Sequence, residues 1–338
     1  MKKIGLCGTG KMGKAIGARL IEKAYNLSIW NRTKSNSDDL IKSGGKFFKK
    51  VSELVDEVDI IIVILGNDDA LKNVYETETG FKNCNLKNKT IIEMSTTSVN
   101  YMKELSNLVL NQNGSFIECP VGGSTKPARD GQLLGLMGGK KSEIDSLDFL
   151  FSHLFRRYEY LGEIGKGTAM KLAINLPLLV YWQSLGEALK LTCQNGIQFE
   201  KALDIMMDTS GACKVAHLKI ETILKAYNNN LDGSSTFGLE SSLKDMKLMQ
   251  DDALKHNNYF SIVSEAIKYI EKGLDQNLHN EDAACTSGLI PKNFKSGSKY
   301  KRTGKAGIFA GSLELVKEGN LSIKQENLFD DIYIKENK

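Results

Sequence analysis

The run Ile4-Gly5-Leu6-Cys7-Gly8-Thr9-Gly10-Lys11-Met12-Gly13 constrains this chain more than any other stretch. It carries the spacing G-x-G-x-x-G from Gly8 to Gly13. An apolar strand pattern, Lys3–Cys7, comes before it, and a helical pattern, Lys14-Ala-Ile-Gly-Ala-Arg-Leu-Ile, comes after. The spacing alone is a weak signal. Set between a strand and a helix it marks the first turn of a βαβ unit, where a dinucleotide pyrophosphate binds. Gly8 permits the tight turn, Gly10 lets the pyrophosphate approach the backbone, and Gly13 lets helix and strand pack closely. The helix N-terminus, with Lys11 and Met12, faces the phosphates. A plain Gly-rich strand–helix turn is the competing reading.

The same alternation continues to residue 162. Strand patterns fall at Lys3–Cys7, Leu27–Trp30, Asp59–Leu65, Thr90–Met94, Phe116–Cys119 and Leu134–Met137, with helical patterns between them. The segment Asp-Ile-Ile-Ile-Val-Ile-Leu at 59–65 has no polar alternation, as in a strand buried on both faces of a parallel sheet. Residues 1–162 are therefore expected to form an α/β Rossmann domain, a doubly wound parallel sheet that binds a dinucleotide. From 163 to 290 one helical pattern follows another, which predicts an all-helical C-terminal domain. Lys166–Cys193 reads as one long helix bent at Pro177. Beyond 290, Lys292, Lys295, Lys299, Lys301, Arg302 and Lys305 fall within 14 residues with no acid among them. This 291–338 extension reads as a basic, poorly ordered tail, or else as a docking segment for a partner or an acidic surface.

Composition excludes several functions. Of 338 residues, 41% are apolar and 25% charged, which suits a globular protein. A net charge of +4 does not argue for nucleic acid. No apolar run approaches the roughly 20 residues of a membrane span, and the N-terminal run is broken at Gly5 and Gly8, unlike a secretory leader. The six cysteines include no C-x-x-C pair and the four histidines are far apart, so neither a disulfide framework nor a metal site is expected. These thiols suit a cytoplasmic protein.

The second strand ends at Asn31-Arg32-Thr33. An NAD site usually has an acid here to accept from the ribose 2′-hydroxyl. Asn31 brings no charge to repel a 2′-phosphate, Arg32 can pair with it, and Thr33 adds a hydroxyl, so NADP is expected over NAD. An exposed loop arginine is the alternative. Leu65-Gly66 and Ser95-Thr96 follow the third and fourth strand patterns. Carboxyl strand ends are where ligands bind in open sheets, though helix caps at these positions are nearly as good a reading. Farther on, Lys171 and Asn175 are four residues apart on one helix face, with Thr168 on the same side. Lys171 lies in an otherwise apolar stretch. A lysine half-buried in a cleft has its pKa lowered toward working pH and can act as acid or base. Otherwise its stem lies along the core and its head reaches water.

These motifs, in this order, resemble the β-hydroxyacid dehydrogenases, a family that includes 3-hydroxyisobutyrate dehydrogenases and glyoxylate and succinic semialdehyde reductases. The resemblance covers roughly residues 2–290. It rests on Gly8–Gly13 with Met12, on Glu93-Met94-Ser95-Thr96-Thr97-Ser98, on Cys119-Pro120-Val121-Gly122-Gly123-Ser124 followed by Lys126–Gly131, and on Gly165–Asn175. Leu243-Lys244-Asp245-Met246 is a weaker fifth match. The resemblance implies hydride transfer between nicotinamide and a small hydroxy acid or aldehyde acid. Lys171 would give or take the proton, Asn175 would orient the substrate oxygen, and Ser95, Gly122, Gly123 and Ser124 would bind the substrate carboxylate. Leu65, Gly66 and Thr96 would line the nicotinamide side, and Lys244 would reach the cofactor from the helical part. Lys244 as a solvated helix lysine, and Gly122–Ser124 as a simple turn, are the competing readings. The resemblance also implies a homodimer or homotetramer.

The chain departs from the family pattern at Gly122, often Ser, at Leu176, often Asn, and at Gly66, often Pro. Two other readings are carried forward. One is a catalytically silent NADP-binding scaffold module; the other is an imine reductase-like enzyme, a group that usually replaces the lysine.

Overall fold

The computed structural model describes residues 2–292 and the backbone of 321–324 and 333–336. The chain begins with β1 (Ile4–Cys7), α1 (Lys11–Glu22), β2 (Leu27–Trp30), α2 (Asp38–Lys42), β3 (Lys46–Phe48), α3 (Val51–Glu57), β4 (Ile60–Val63) and α4 (Asp68–Tyr75). It continues with β5 (Thr90–Glu93), α5 (Val99–Asn111), β6 (Ser115–Glu118), β7 (Val121–Gly122), α6 (Thr125–Asp130) and β8 (Leu133–Gly139). After α7 (Lys141–Asp145), α8 (Asp148–Leu154) and β9 (Phe155–Gly162), the described chain is helical as far as residue 292.

Strands β3, β2, β1, β4, β5 and β6 lie side by side in that order and are all parallel. The reversal of direction of growth between β1 and β4 leaves a crevice at their carboxyl ends, where ligands bind in such sheets. The sheet rests on two apolar layers. Ile60 and Ile62 of β4 point into one, and Ile61 and Val63 into the other, all at most 2% exposed. That double burial explains a strand with no polar alternation.

The parallel expectation stops at β6. Strand β8 runs antiparallel to β6, β7 antiparallel to β8, and β9 parallel to β8. Three strands of this sheet were not foreseen. β3 has three residues and β7 two, too short for a pattern. β9 reads Phe-Arg-Arg-Tyr-Glu-Tyr-Leu-Gly, and the charges that hide it suit an edge strand exposed to water.

Helix α9 (Lys166–Gln194) opens the helical part and runs through Pro177 as one 29-residue element. Around it pack α10 (Phe199–Met207), α11 (Ile220–Tyr227), α12 (Leu239–Lys255), α13 (Ser261–Leu274) and α14 (Cys285–Leu289). Trp182, Leu185 and Leu189 of α9 join one core with Phe199 and Ile223, while Leu172 and Leu179 join another with Met246 and Ile270. The long helix is thus the shared wall of both cores, and its first turns face the sheet. No helix among the described residues is long and apolar enough to cross a membrane. The expected basic tail lies outside the described residues, apart from Lys292 and an antiparallel pair, β10 (Leu321–Lys324) with β11 (Tyr333–Glu336).

Candidate active site

At the glycine turn, φ of Gly8 is +104°, and a Cβ there would overlap the Ile64 carbonyl oxygen. A Cβ on Gly13 would overlap the carbonyl oxygen of Gly8. Gly10 differs: its Cβ would meet nothing within 4 Å. Helix α1 begins just after Gly10 with no side-chain cap, so its first amides are left for a ligand. A cavity of about 200 Å³ opens there, lined by Gly8, Gly10, Arg32, Thr33, Leu65 and Gly66 among others. Open space over bare amides is what a dinucleotide pyrophosphate requires.

The expected cofactor residues divide into two groups. Arg32 and Thr33 are exposed at the cavity, and Arg32 makes no hydrogen bond or ion pair among the described residues. Asn31 also lines it, but its amide shapes the turn, accepting from Thr9 N at 3.0 Å and donating to the Thr33 carbonyl at 2.8 Å. Met12 packs on the sheet core instead of facing the cavity. Lys11 reaches away from the turn: its Nζ donates to the Ser235 carbonyl at 2.6 Å, in the loop before α12.

Ser95 was expected to touch substrate. It is 2% exposed, and its Oγ accepts from Leu65 N at 2.8 Å, so it ties two loops together. Behind it lies Glu93, fully buried, which accepts from Ser95 N at 2.8 Å and from the Tyr75 hydroxyl at 2.7 Å. Burial pushes the Glu93 carboxyl up to about 7, against the pull of those hydrogen bonds.

A second buried acid, Glu118, caps α9. Its carboxylate accepts from Gly165 N at 2.6 Å, Gly167 N at 3.3 Å and Thr168 N at 2.6 Å. Burial raises this carboxyl too, and the amide hydrogen bonds hold it down. Thr168 is accordingly buried under the helix start. Sequence reading missed Glu118; an acid just before Cys119-Pro120 at a strand end was the only signal available.

One turn into α9 begins a chain of polar contacts. Lys171 Nζ donates to Asn175 Oδ1 at 3.1 Å, and Asn175 Nδ2 donates to Asp245 Oδ2 at 2.9 Å. The other Asp245 oxygen lies 3.3 Å from Lys244 Nζ, which donates to the Thr96 carbonyl at 2.6 Å. The chain therefore crosses from the helical part back to the sheet. Lys171 is half-buried, and burial lowers its pKa. Asp245 opposes that shift and Lys244 adds to it. Both ends of the Asn175 amide are engaged, which makes it a holder of Lys171.

Gly122 lies against this helix: a Cβ on it would sit 3.5 Å from Ile174 Cδ1, between Lys171 and Asn175 in sequence. Gly123 has φ +124° and needs to be glycine, since a Cβ would come 2.9 Å from Leu133 Cδ2. Ser124 precedes α6 without capping it, and its hydroxyl has no partner among the described residues. No group of three His, Cys, Asp or Glu among the described residues could hold a metal ion. The site offers a glycine turn with uncapped amides beside a cavity, a lysine of lowered pKa on α9, and an unpaired Ser124 hydroxyl two residues after Gly122, which packs on that helix.

Residues 3–162 match a family model described as the NAD binding domain of 6-phosphogluconate dehydrogenase. Residues 165–288 match one described as NAD-binding of NADP-dependent 3-hydroxyisobutyrate dehydrogenase. The chain is 31% identical over 204 residues to glyoxylate/succinic semialdehyde reductase 1 of Arabidopsis thaliana, covering 60% of this chain and 71% of the relative. It is 26% identical over 277 residues to the human cytokine-like nuclear factor N-PAC, covering 81% of this chain but only 49% of that protein. Among solved structures, Mycobacterium tuberculosis 3-hydroxyisobutyrate dehydrogenase with L-serine has the same fold, at a TM-score of 0.74 and 20% identity, covering 86% of this chain and 99% of that one.

Proposed function

The chain belongs to the β-hydroxyacid dehydrogenase family, and on that premise we propose that it is an NADP-dependent reductase or dehydrogenase acting on a small hydroxy acid or aldehyde acid. The observation that carries this reading is Lys171. It is a half-buried lysine of lowered pKa, held by Asn175 in a polar chain that runs through Asp245 and Lys244 to Thr96, next to the Ser95 that receives N–H of Leu65 from the cavity loop.

The nicotinamide, when bound, supplies or accepts the hydride. The protein's residues do the rest. The α1 amides around Gly10 and Met12 hold the pyrophosphate. Arg32, free and exposed beside Thr33, pairs with a 2′-phosphate, and no acid lies at Asn31 to oppose it. Backbone N–H groups at Gly122-Gly123 and the free Ser124 hydroxyl hold the substrate carboxylate. Lys171 gives a proton to the substrate carbonyl oxygen in reduction and takes it from the hydroxyl in oxidation. Burial lowers the cost of losing that proton, while Asp245, acting through Asn175, keeps the ammonium oriented. The engaged Asn175–Asp245 pair and the intact lysine favour this chemistry over a silent scaffold module.

The test is cofactor oxidation with NADPH and with NADH against small aldehyde and keto acids, wild type beside Lys171→Ala. We expect turnover with NADPH and a fall of about 10²–10⁴-fold in the variant, the usual share of a general acid. Turnover that survives in Lys171→Ala removes the lysine from the mechanism.

A further inference from the structure

No step above uses Glu93, yet this acid is fully buried at the end of β5, under the cofactor cavity. Three parts of the chain meet at it. Tyr75, the last residue of α4, donates its hydroxyl to one oxygen, and Ser95 N donates to the other. Ser95 in turn receives Leu65 N on its hydroxyl, and Leu65 and Gly66 line the cavity. The residue after Ser95, Thr96, offers the carbonyl that receives Lys244 from across the cleft.

We propose that Glu93 is a positioning residue for cofactor binding: through Ser95 it fixes the spacing of the loops after β4 and β5, and through Thr96 it sets the landing point of Lys244. The proposal rests on reading this cleft as a nicotinamide site. A carboxylate suits the role because it accepts only, on two oxygens that can serve donors from two directions. An apolar residue of the same size would leave the Tyr75 hydroxyl and Ser95 N buried without acceptors, each a group that costs free energy when unpaired. Simple stability does not favour the acid, since burial that raises its carboxyl to about 7 makes the ionised form costly to keep. What the acid gains is geometry: α4 and two cavity loops tied at one point.

The experiment is calorimetric titration of NADPH into wild type, Glu93→Ala, Glu93→Gln and Ser95→Ala, with a melting curve for each. Glu93→Ala is expected to weaken binding by roughly tenfold, the size of one lost buried hydrogen bond. Ser95→Ala, which releases Leu65 N and the Ser95 hydroxyl's contact with Glu93 but leaves Ser95 N and Tyr75 on the carboxylate, is expected to weaken it less. Glu93→Gln keeps an acceptor for Ser95 N and is expected to bind within about threefold of wild type. In turnover, the cofactor KM is expected to rise by a larger factor than kcat falls, as for a residue that shapes binding without touching the reacting atoms. If folded Glu93→Ala binds NADPH as wild type does, the proposal fails. If that variant does not fold, an unchanged dissociation constant in Ser95→Ala has the same meaning. A wild type that binds neither NADPH nor NADH overturns the functional reading, and this one with it.

Discussion

The glycine turn and the polar chain that runs from Lys171 across the cleft to Thr96 are held by different forces. At the turn, shape is set by what cannot fit: side chains at Gly8 and Gly13 would strike backbone carbonyls. Across the cleft, shape is set by what must be paired, through contacts between residues as far apart as Asn175 and Asp245. Steric exclusion acts over a few residues and gives way abruptly. A chain of charge and hydrogen bonds acts over the whole cleft and gives way in proportion to the charge removed.

The largest effects should therefore come from the turn, and they should separate fold from function. Gly8→Ala places a Cβ on the Ile64 carbonyl at a φ of +104°. We expect a destabilisation of about 2–4 kcal/mol, combining backbone strain with overpacking, and loss of cofactor binding. Gly10→Ala places its Cβ in open space. Its melting temperature should stay near that of wild type while cofactor binding drops, because the new methyl occupies the room meant for the pyrophosphate. Thermal melts beside NADPH titrations decide this; equal melting losses in the two variants would remove the distinction drawn here.

The polar chain should respond in its pH dependence. On the proposed mechanism reduction needs Lys171 protonated, so its rate falls as pH rises through the lysine's pKa. Asp245 raises that pKa against burial, and Lys244 lowers it. In Asp245→Asn the supporting charge is gone while the repulsion from Lys244 remains, so the pKa falls further. The alkaline fall in kcat/KM for reduction should then begin at lower pH, and oxidation, which needs neutral Lys171, should switch on at lower pH as well. Profiles in both directions check the sign. Limbs that stay in place in the variant would mean that Asp245 acts only as a structural partner of Lys244.

The same contrast explains how much could be read from sequence. The turn was legible because its constraints are local: three glycines at fixed spacing, between a strand and a helix, state the geometry outright. The buried β4 and the helical run from residue 166 were legible for the same reason, in hydrophobic periodicity. The polar chain was legible only in part. Lys171 and Asn175 share a helix face and could be paired by spacing, but the capture of Thr96 by Lys244 spans 148 positions and carries no local signal. Glu118 and Glu93 stand at strand ends, and nothing in spacing says which buried amide a strand-end carboxylate will accept. Ser95 and Lys11 show the opposite case: the residue types lie near the site, and spacing does not show that their side chains are held by Leu65 and Ser235. Edge strand β9 was hidden by Arg156, Arg157 and Glu159, since charge placement on an edge answers to water and not to a core.

The smallest expected effect tests where the two kinds of constraint meet. Gly122 and Gly123 are neighbours beside α9, and they differ as Gly10 and Gly8 do. A Cβ on Gly122 would touch Leu134 at 3.4 Å and Ile174 at 3.5 Å, ordinary contact distances, so Gly122→Ala should change stability by no more than about 0.5 kcal/mol. Gly123→Ala meets Leu133 at 2.9 Å with φ +124° and should cost about 1–3 kcal/mol. Gly122 is thus glycine without steric need. Gly122→Ser should fold like wild type while adding a hydroxyl beside Ile174, on the helix that carries Lys171, and any change it makes should appear in the ranking of substrates by kcat/KM. Comparing that ranking in wild type and Gly122→Ser, with melting curves as the control, measures what the missing side chain does for the pocket. An unchanged ranking would place Gly122 outside the substrate's reach.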